Sequence, residues 1–110
     1  MEISTPKNYT LFVSNENSFE AFYTAFSKQN QQEKDNHKIV QLSENLNTTV
    51  TNLLLFLNIA NTHKSNGTSF VVVCNGIDTD KIPDELNVVP TLIEAEDLLE
   101  MEAIERDLGF

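Results

Sequence analysis

Residues Lys38–Leu92 read KIVQLSENLNTTVTNLLLFLNIANTHKSNGTSFVVVCNGIDTDKIPDELNVVPTL, and this stretch decides the fold. A short apolar strand, KIVQL, runs through the polar loop SENLNTT into an unusually apolar helix. A glycine-terminated turn then leads to a second strand, SFVVVC. Strand–loop–helix–strand of this length is a βαβ unit, so its two strands lie parallel with the helix packed across them. The loop after a strand's carboxyl end is where such folds place function.

Within the unit, Asn47 or Thr48 can cap the helix, and Val50, Leu53, Leu54, Leu57 and Ala60 form its buried stripe. Leu55, Phe56 and Ile59 widen the apolar face beyond what one core needs, so a neighbouring helix or a partner must cover the excess. His63 and Lys64 suit the negative helix end, and Gly67 supplies the left-handed terminator. The continuous apolar run to Cys74 marks a central strand covered on both faces. Asn75-Gly76 breaks it, Ile77–Ile82 forms one or two helical turns before Pro83, and Leu86–Val89 is a short last strand.

Upstream, Met1, Ile3 and Thr5 alternate with polar residues, Pro6-Lys7-Asn8 makes a turn, and Tyr9–Val13 is rich in strand formers. The pair reads as hairpin-like. Asn17 with Glu20 forms a capping box for a helix whose Phe19, Phe22, Tyr23 and Phe26 make one aromatic core stripe. Gln29–His37 reads as a frayed helix end and a solvated loop. Downstream, Thr91 with Glu94 opens a final helix that turns Leu92, Ala95, Leu98, Leu99 and Ala103 inward. The apolar end, Leu108-Gly109-Phe110, either folds back on the domain or docks elsewhere, and the fold-back is the expectation. The whole is one α/β domain over 1–110. It has a mixed, mostly parallel sheet of about five strands and about four helices, in the order β-β-α-β-α-β-α-β-α.

Composition narrows the function. Seventeen carboxylates oppose seven Lys and Arg, a net charge of −10. Nucleic acid and anionic membranes are bound through clustered cations, so neither is an expected partner. The apolar run Leu53–Leu57 is only about a quarter of a membrane span. Met1–Thr10 lacks the pattern of a signal peptide. The single Cys74 rules out an internal disulfide, and a cytoplasmic location is expected.

Catalytic motifs are missing. His37 and His63 lie far apart without further ligands at zinc spacing, so no metal or other cofactor is expected. Gly67, Gly76 and Gly109 are scattered and make no phosphate-binding loop. Ser43 has no histidine near it in sequence to activate it. The expectation is a non-enzymatic interaction module. Its partner-binding candidates are Ser43, Asn45, Asn47, Thr48, Val50, Asn52 and Asn75, with the amides and hydroxyls hydrogen-bonding a partner and Val50 as apolar anchor. A small-molecule or nucleotide binder is the alternative.

The element order is similar to that of the STAS domain, the fold of bacterial anti-sigma factor antagonists, over nearly the whole chain. KIVQLS resembles that family's central strand, NTTVTNLLLFL its motif and helix, and VVPTLIEAEDLL its last strand and helix. The resemblance implies a regulatory domain whose motif serine is phosphorylated by a partner kinase. Here that position falls at Asn47 or Thr48, so Thr48 is the candidate phosphorylation site. Gln41 stands where the family strand has an acid, and Thr49 where its motif has glycine. The chain also looks like small Bacteroidetes proteins often labelled ribonuclease Z, most specifically in VVPTLIEAEDLLEMEAIERDLGF. That nuclease needs an H-x-H-x-D-H metal cluster, which this sequence lacks, so a companion of the nuclease is the reading left by the label.

Overall fold

The computed structural model describes residues 1–31 and 36–109. It is an α/β fold around a five-stranded mixed sheet. The strands are β1 (Glu2–Ser4), β2 (Tyr9–Val13), β3 (His37–Gln41), β4 (Phe70–Val73) and β5 (Asn87–Val89). The α-helices are α1 (Phe19–Asn30), α2 (Val50–Leu54), α3 (Leu57–Asn66) and α4 (Leu92–Asp107), and short 3-10 turns occupy Glu44–Leu46 and Thr79–Lys81. Strand order follows chain order from β1 to β5, with β1 antiparallel to β2 and every other pair parallel.

That order has a consequence for layering. Right-handed crossovers that always step in the same direction put their helices on the same face. Phe22 and Phe26 of α1, Leu53 of α2 and Ala60 of α3 accordingly share one core with Phe12, Val40, Phe70 and Val72 of the sheet. In register, Phe12, Val40, Val72 and Val88 form one row across that face. The opposite face, with Tyr9, Ile39, Val71 and Val73, is covered by α4 through Ala95 and Leu99. β4 is therefore buried throughout, as its unbroken apolar run predicts.

An aromatic cluster fills the larger core. Phe26 meets Phe12 edge-on at 5.0 Å and Phe56 at 5.6 Å, and Phe56 lies 5.8 Å from Phe70. Such pairs add about 0.5–1.5 kcal/mol each beyond their buried area. α4 is tied down by polar contacts as well. Ser69 Oγ donates to Glu102 Oε1 at 2.6 Å, Asn87 Nδ2 donates to Glu102 Oε2 at 3.2 Å, and the Tyr9 hydroxyl donates to Glu96 at 2.6 Å. Burial, with the Glu96 hydrogen bond and charge adding to it, pushes the Tyr9 phenol up to about 12.

Several expectations need correction. α1 is capped by Ser18, whose Oγ accepts from Ala21 N at 3.1 Å, not by Asn17. The long apolar helix is two helices, because Leu55 N and Phe56 N turn to carbonyls three residues back, Asn52 and Leu53. This tightening buries Leu53 and Phe56 completely and leaves Leu54 (37%) and Leu55 (50%) exposed, so Leu54 is not in the core. The Tyr23 hydroxyl donates to the Leu55 carbonyl at the break. Leu108 stays 66% exposed rather than folding back. Phe110 and residues 32–35 of the expected segment before β3 lie outside the described residues.

Candidate functional site

Parallel strands send their following loops to one end of the sheet. Here the ladder continues slightly past the strands: Ser14 N donates to Gln41 O, Leu42 N to Val73 O and Cys74 N to Val89 O, at 2.9–3.0 Å. The chain after β3 then leaves beside the chain after β4. Ser14 Oγ accepts from Ser43 N at 2.8 Å and fixes where the β3 loop departs. The turn at Glu44–Leu46 buries Leu46 as its apolar foot. Asn47 ends it in the left-handed region at φ 50°, a conformation that asparagine tolerates better than most residues.

Thr49 caps α2, rather than Asn47 or Thr48. Its Oγ1 accepts from Asn52 N at 3.1 Å, and Asn52 Oδ1 accepts from Thr49 N at 3.0 Å, a reciprocal box with asparagine in the usual Glu or Gln position. Asn52 is thereby engaged within the chain. Val50 is half-buried against the core, so it is not a free apolar anchor.

Ser43, Asn47, Thr48 and Asn75 do come together. With Glu44 and Ile77 they line an open depression of about 290 Å³. Asn75 Nδ2 donates to Glu44 Oε1 at 3.2 Å across its mouth. Asn45 is exposed on the neighbouring turn and does not line the depression. Glu44 and Ser14 were missed as members of the site. Ser14 follows β2, 29 positions before Ser43 in the chain, and only the parallel register of β2 on β3 reveals its position beside Ser43.

The depression lies at the small end of the range for ligand pockets, and polar and apolar groups share its lining about equally. Cys74 borders it, but burial pushes its thiol up, away from the reactive thiolate. His37 opens β3 and His63 lies in the last turn of α3, both at the opposite end of the sheet from Ser43. Thr48 Oγ1 is buried and has no hydrogen-bond partner among the described residues. Among those residues no group of three or more His, Cys, Asp or Glu could hold a metal ion, and no helix is long and apolar enough to cross a membrane. The arrangement can recognise a surface by hydrogen bonds through exposed amides and a carboxylate. No family model matches the chain, and no curated protein matches it either.

Proposed function

We propose that this chain is a non-catalytic, cytoplasmic interaction domain of STAS-like type that binds a regulatory protein at the carboxyl end of its sheet. One observation carries the reading. The loops after β3 and β4 converge, joined by the Asn75–Glu44 hydrogen bond, and present Asn45, Asn47 and Asn75 outward. Leu54 and Leu55, exposed at the end of α2, supply the apolar contact first assigned to Val50. Interfaces combine such apolar anchors with a hydrogen-bonding rim. The resemblance of the sequence to anti-sigma factor antagonists, in element order and in KIVQLS, supports the same reading.

Phosphorylation of Thr48 by a partner kinase is the regulatory form of this proposal. Its buried hydroxyl oxygen requires Thr48 to swing out before a kinase reaches it. A nucleotide-binding reading draws less support. β2 to β5 step across the sheet without a reversal, so there is no switch point to open a crevice.

Affinity purification from the native cell tests the proposal with Asn75→Arg and Leu55→Asp variants of unchanged melting temperature. The expected outcome is loss of a protein that the wild type retains, and ribonuclease Z is scored among the retained proteins. Identical sets for wild type and both variants would overturn the assignment. Thr48→Glu losing a partner that Thr48→Ala keeps would support the switch. Thermal shift with nucleotides tests the alternative, since a ligand at about a hundredfold over its Kd adds roughly 2.7 kcal/mol.

A further inference from the structure

α4 has a second apolar face. Its inner face buries Ala95 and Leu99 against the sheet. On the outer side Ile93 is 72% exposed, Met101 56%, Ile104 59% and Leu108 66%. With Asp97 these residues follow at i, i+4, i+8, i+11 and i+15, a stripe nearly opposite the buried one. From Asp97 to Leu108 the spacing is four, three, four, which is the alternation of a coiled-coil seam. The stripe borders a groove of about 290 Å³ between α4 and the Lys7–Tyr9 segment, which Ile104 lines together with Leu99 and Glu100.

Charge selects the occupant. α4 carries seven carboxylates against the single Arg106, a net charge of −6 (1 − 7) out of −10 for the chain. Glu96 and Glu100 flank the stripe on one side, Glu94 and Glu105 on the other, and Asp97 sits within it. A second copy would bring two such helices together at a like-charge cost, and an anionic lipid surface meets the same repulsion. A helix with Lys or Arg beside its apolar seam gains at Glu94, Glu100 and Glu105, Glu96 being already paired with Lys7, and a cation opposite Asp97 sets the register.

We infer that the outward face of α4 docks a basic amphipathic helix of a partner protein, through Met101, Ile104 and Leu108, on a surface separate from the carboxyl-end loops. The probe is a designed helical peptide with leucine at the seam positions and lysine at the flanking ones, titrated against the whole chain by fluorescence anisotropy. A control peptide carries glutamate in place of lysine. The lysine peptide binds, binding weakens by at least about tenfold in Ile104→Asp, and the glutamate peptide fails. Ile104 is 59% exposed, so Ile104→Asp removes little buried contact and stays folded, and affinities are compared below the melting temperature of both proteins. Four results would each overturn the inference: no binding of the lysine peptide, equal binding of both peptides, unchanged affinity in Ile104→Asp, or binding to phosphatidylserine vesicles. Sedimentation showing a dimer of this chain that Ile104→Asp dissociates would give the face to a second copy instead.

Discussion

Thr48 and Thr49 are adjacent hydroxyls with opposite energetics. Thr49 satisfies a helix donor in the box with Asn52, whereas the Thr48 oxygen is buried without a partner among the described residues. Removing a good cap costs about 1 kcal/mol, so Thr49→Ala is expected to lower the urea midpoint. Thr48→Val replaces an unsatisfied hydroxyl with a methyl of the same shape and is expected to be neutral or stabilising, by up to about 1 kcal/mol. Equal losses in both variants would contradict the assigned cap. His63 gives a second prediction at this scale. It stacks on Phe70 at 5.4 Å, and burial, followed by the nearby Lys38 and His37, lowers its pKa to about 4. A histidine depressed in the folded state stays neutral there while the unfolded chain takes up a proton near 6.5. Its contribution is complete above pH 6.5 and is lost as pH falls toward 4, on the order of 3 kcal/mol over that window. Urea unfolding at stepped pH should show a shallower decline for His63→Gln than for the wild type, and parallel curves would refute the shift.

Among the elements, α2 and α3 show how one apolar run can divide. Leu53 and Leu55 are two residues apart in LLLFL, yet Leu53 is fully buried and Leu55 half exposed. Leu53→Ala is expected to cost about 2–5 kcal/mol by chemical denaturation, and Leu55→Ala less than about 0.5. Similar costs would mean that the break between Leu54 and Leu57 is absent in solution. The sequence shows that the segment is helical and too apolar for one face, but several inward stripes satisfy the same period. Only the aromatic slot between Phe26 and Phe70, which takes Phe56, selects among them. Caps were misplaced for a related reason. Asn47-Thr48-Thr49 and Asn17-Ser18 each offer neighbouring residues of similar capping ability, and backbone geometry decides. The strands were legible to within a residue or so, because apolar runs bounded by turn residues mark them independently of tertiary contacts. The meeting of Ser43, Asn47 and Thr48 with Asn75 was legible because parallel strands send their loops to one end. That Val50 and Asn52 turn to internal duties was not, since both depend on how α2 sits on the core. The Ser69–Glu102 tie joins residues 33 positions apart and leaves no local signature.

Across the whole molecule, charge is the least balanced quantity. Seventeen carboxylates and seven basic side chains share a body of 41 × 31 × 24 Å. Two ion pairs are present among the described residues, the Met1 ammonium with Glu16 at 2.7 Å and Lys7 with Glu96 at 3.4 Å. Burial raises the Glu16 carboxyl, but the ammonium and backbone hydrogen bonds outweigh it and hold the group low. These local pairs leave the overall excess of negative charge in place. At about 0.01 M salt the Debye length is roughly 30 Å, so carboxylates repel across most of the molecule; at 1 M it is roughly 3 Å, and only neighbours interact. Unfolding relieves this repulsion by spreading the chain, so screening it should favour the compact state. Chloride is the suitable anion, because sulfate also strengthens apolar burial. Raising NaCl from about 0.01 M to 0.5 M at pH 7 is expected to raise the melting temperature, by roughly 4–8 °C for each 1 kcal/mol of repulsion removed. α4 holds most of the excess, so a triple Glu94→Gln, Glu100→Gln, Glu105→Gln variant should be more stable at low salt and respond less to NaCl. Those three side chains are exposed, and their exchange leaves the buried contacts of Ala95 and Leu99 intact. A wild type indifferent to NaCl, or a variant with the same salt response, would show that repulsion is not what limits stability at low salt.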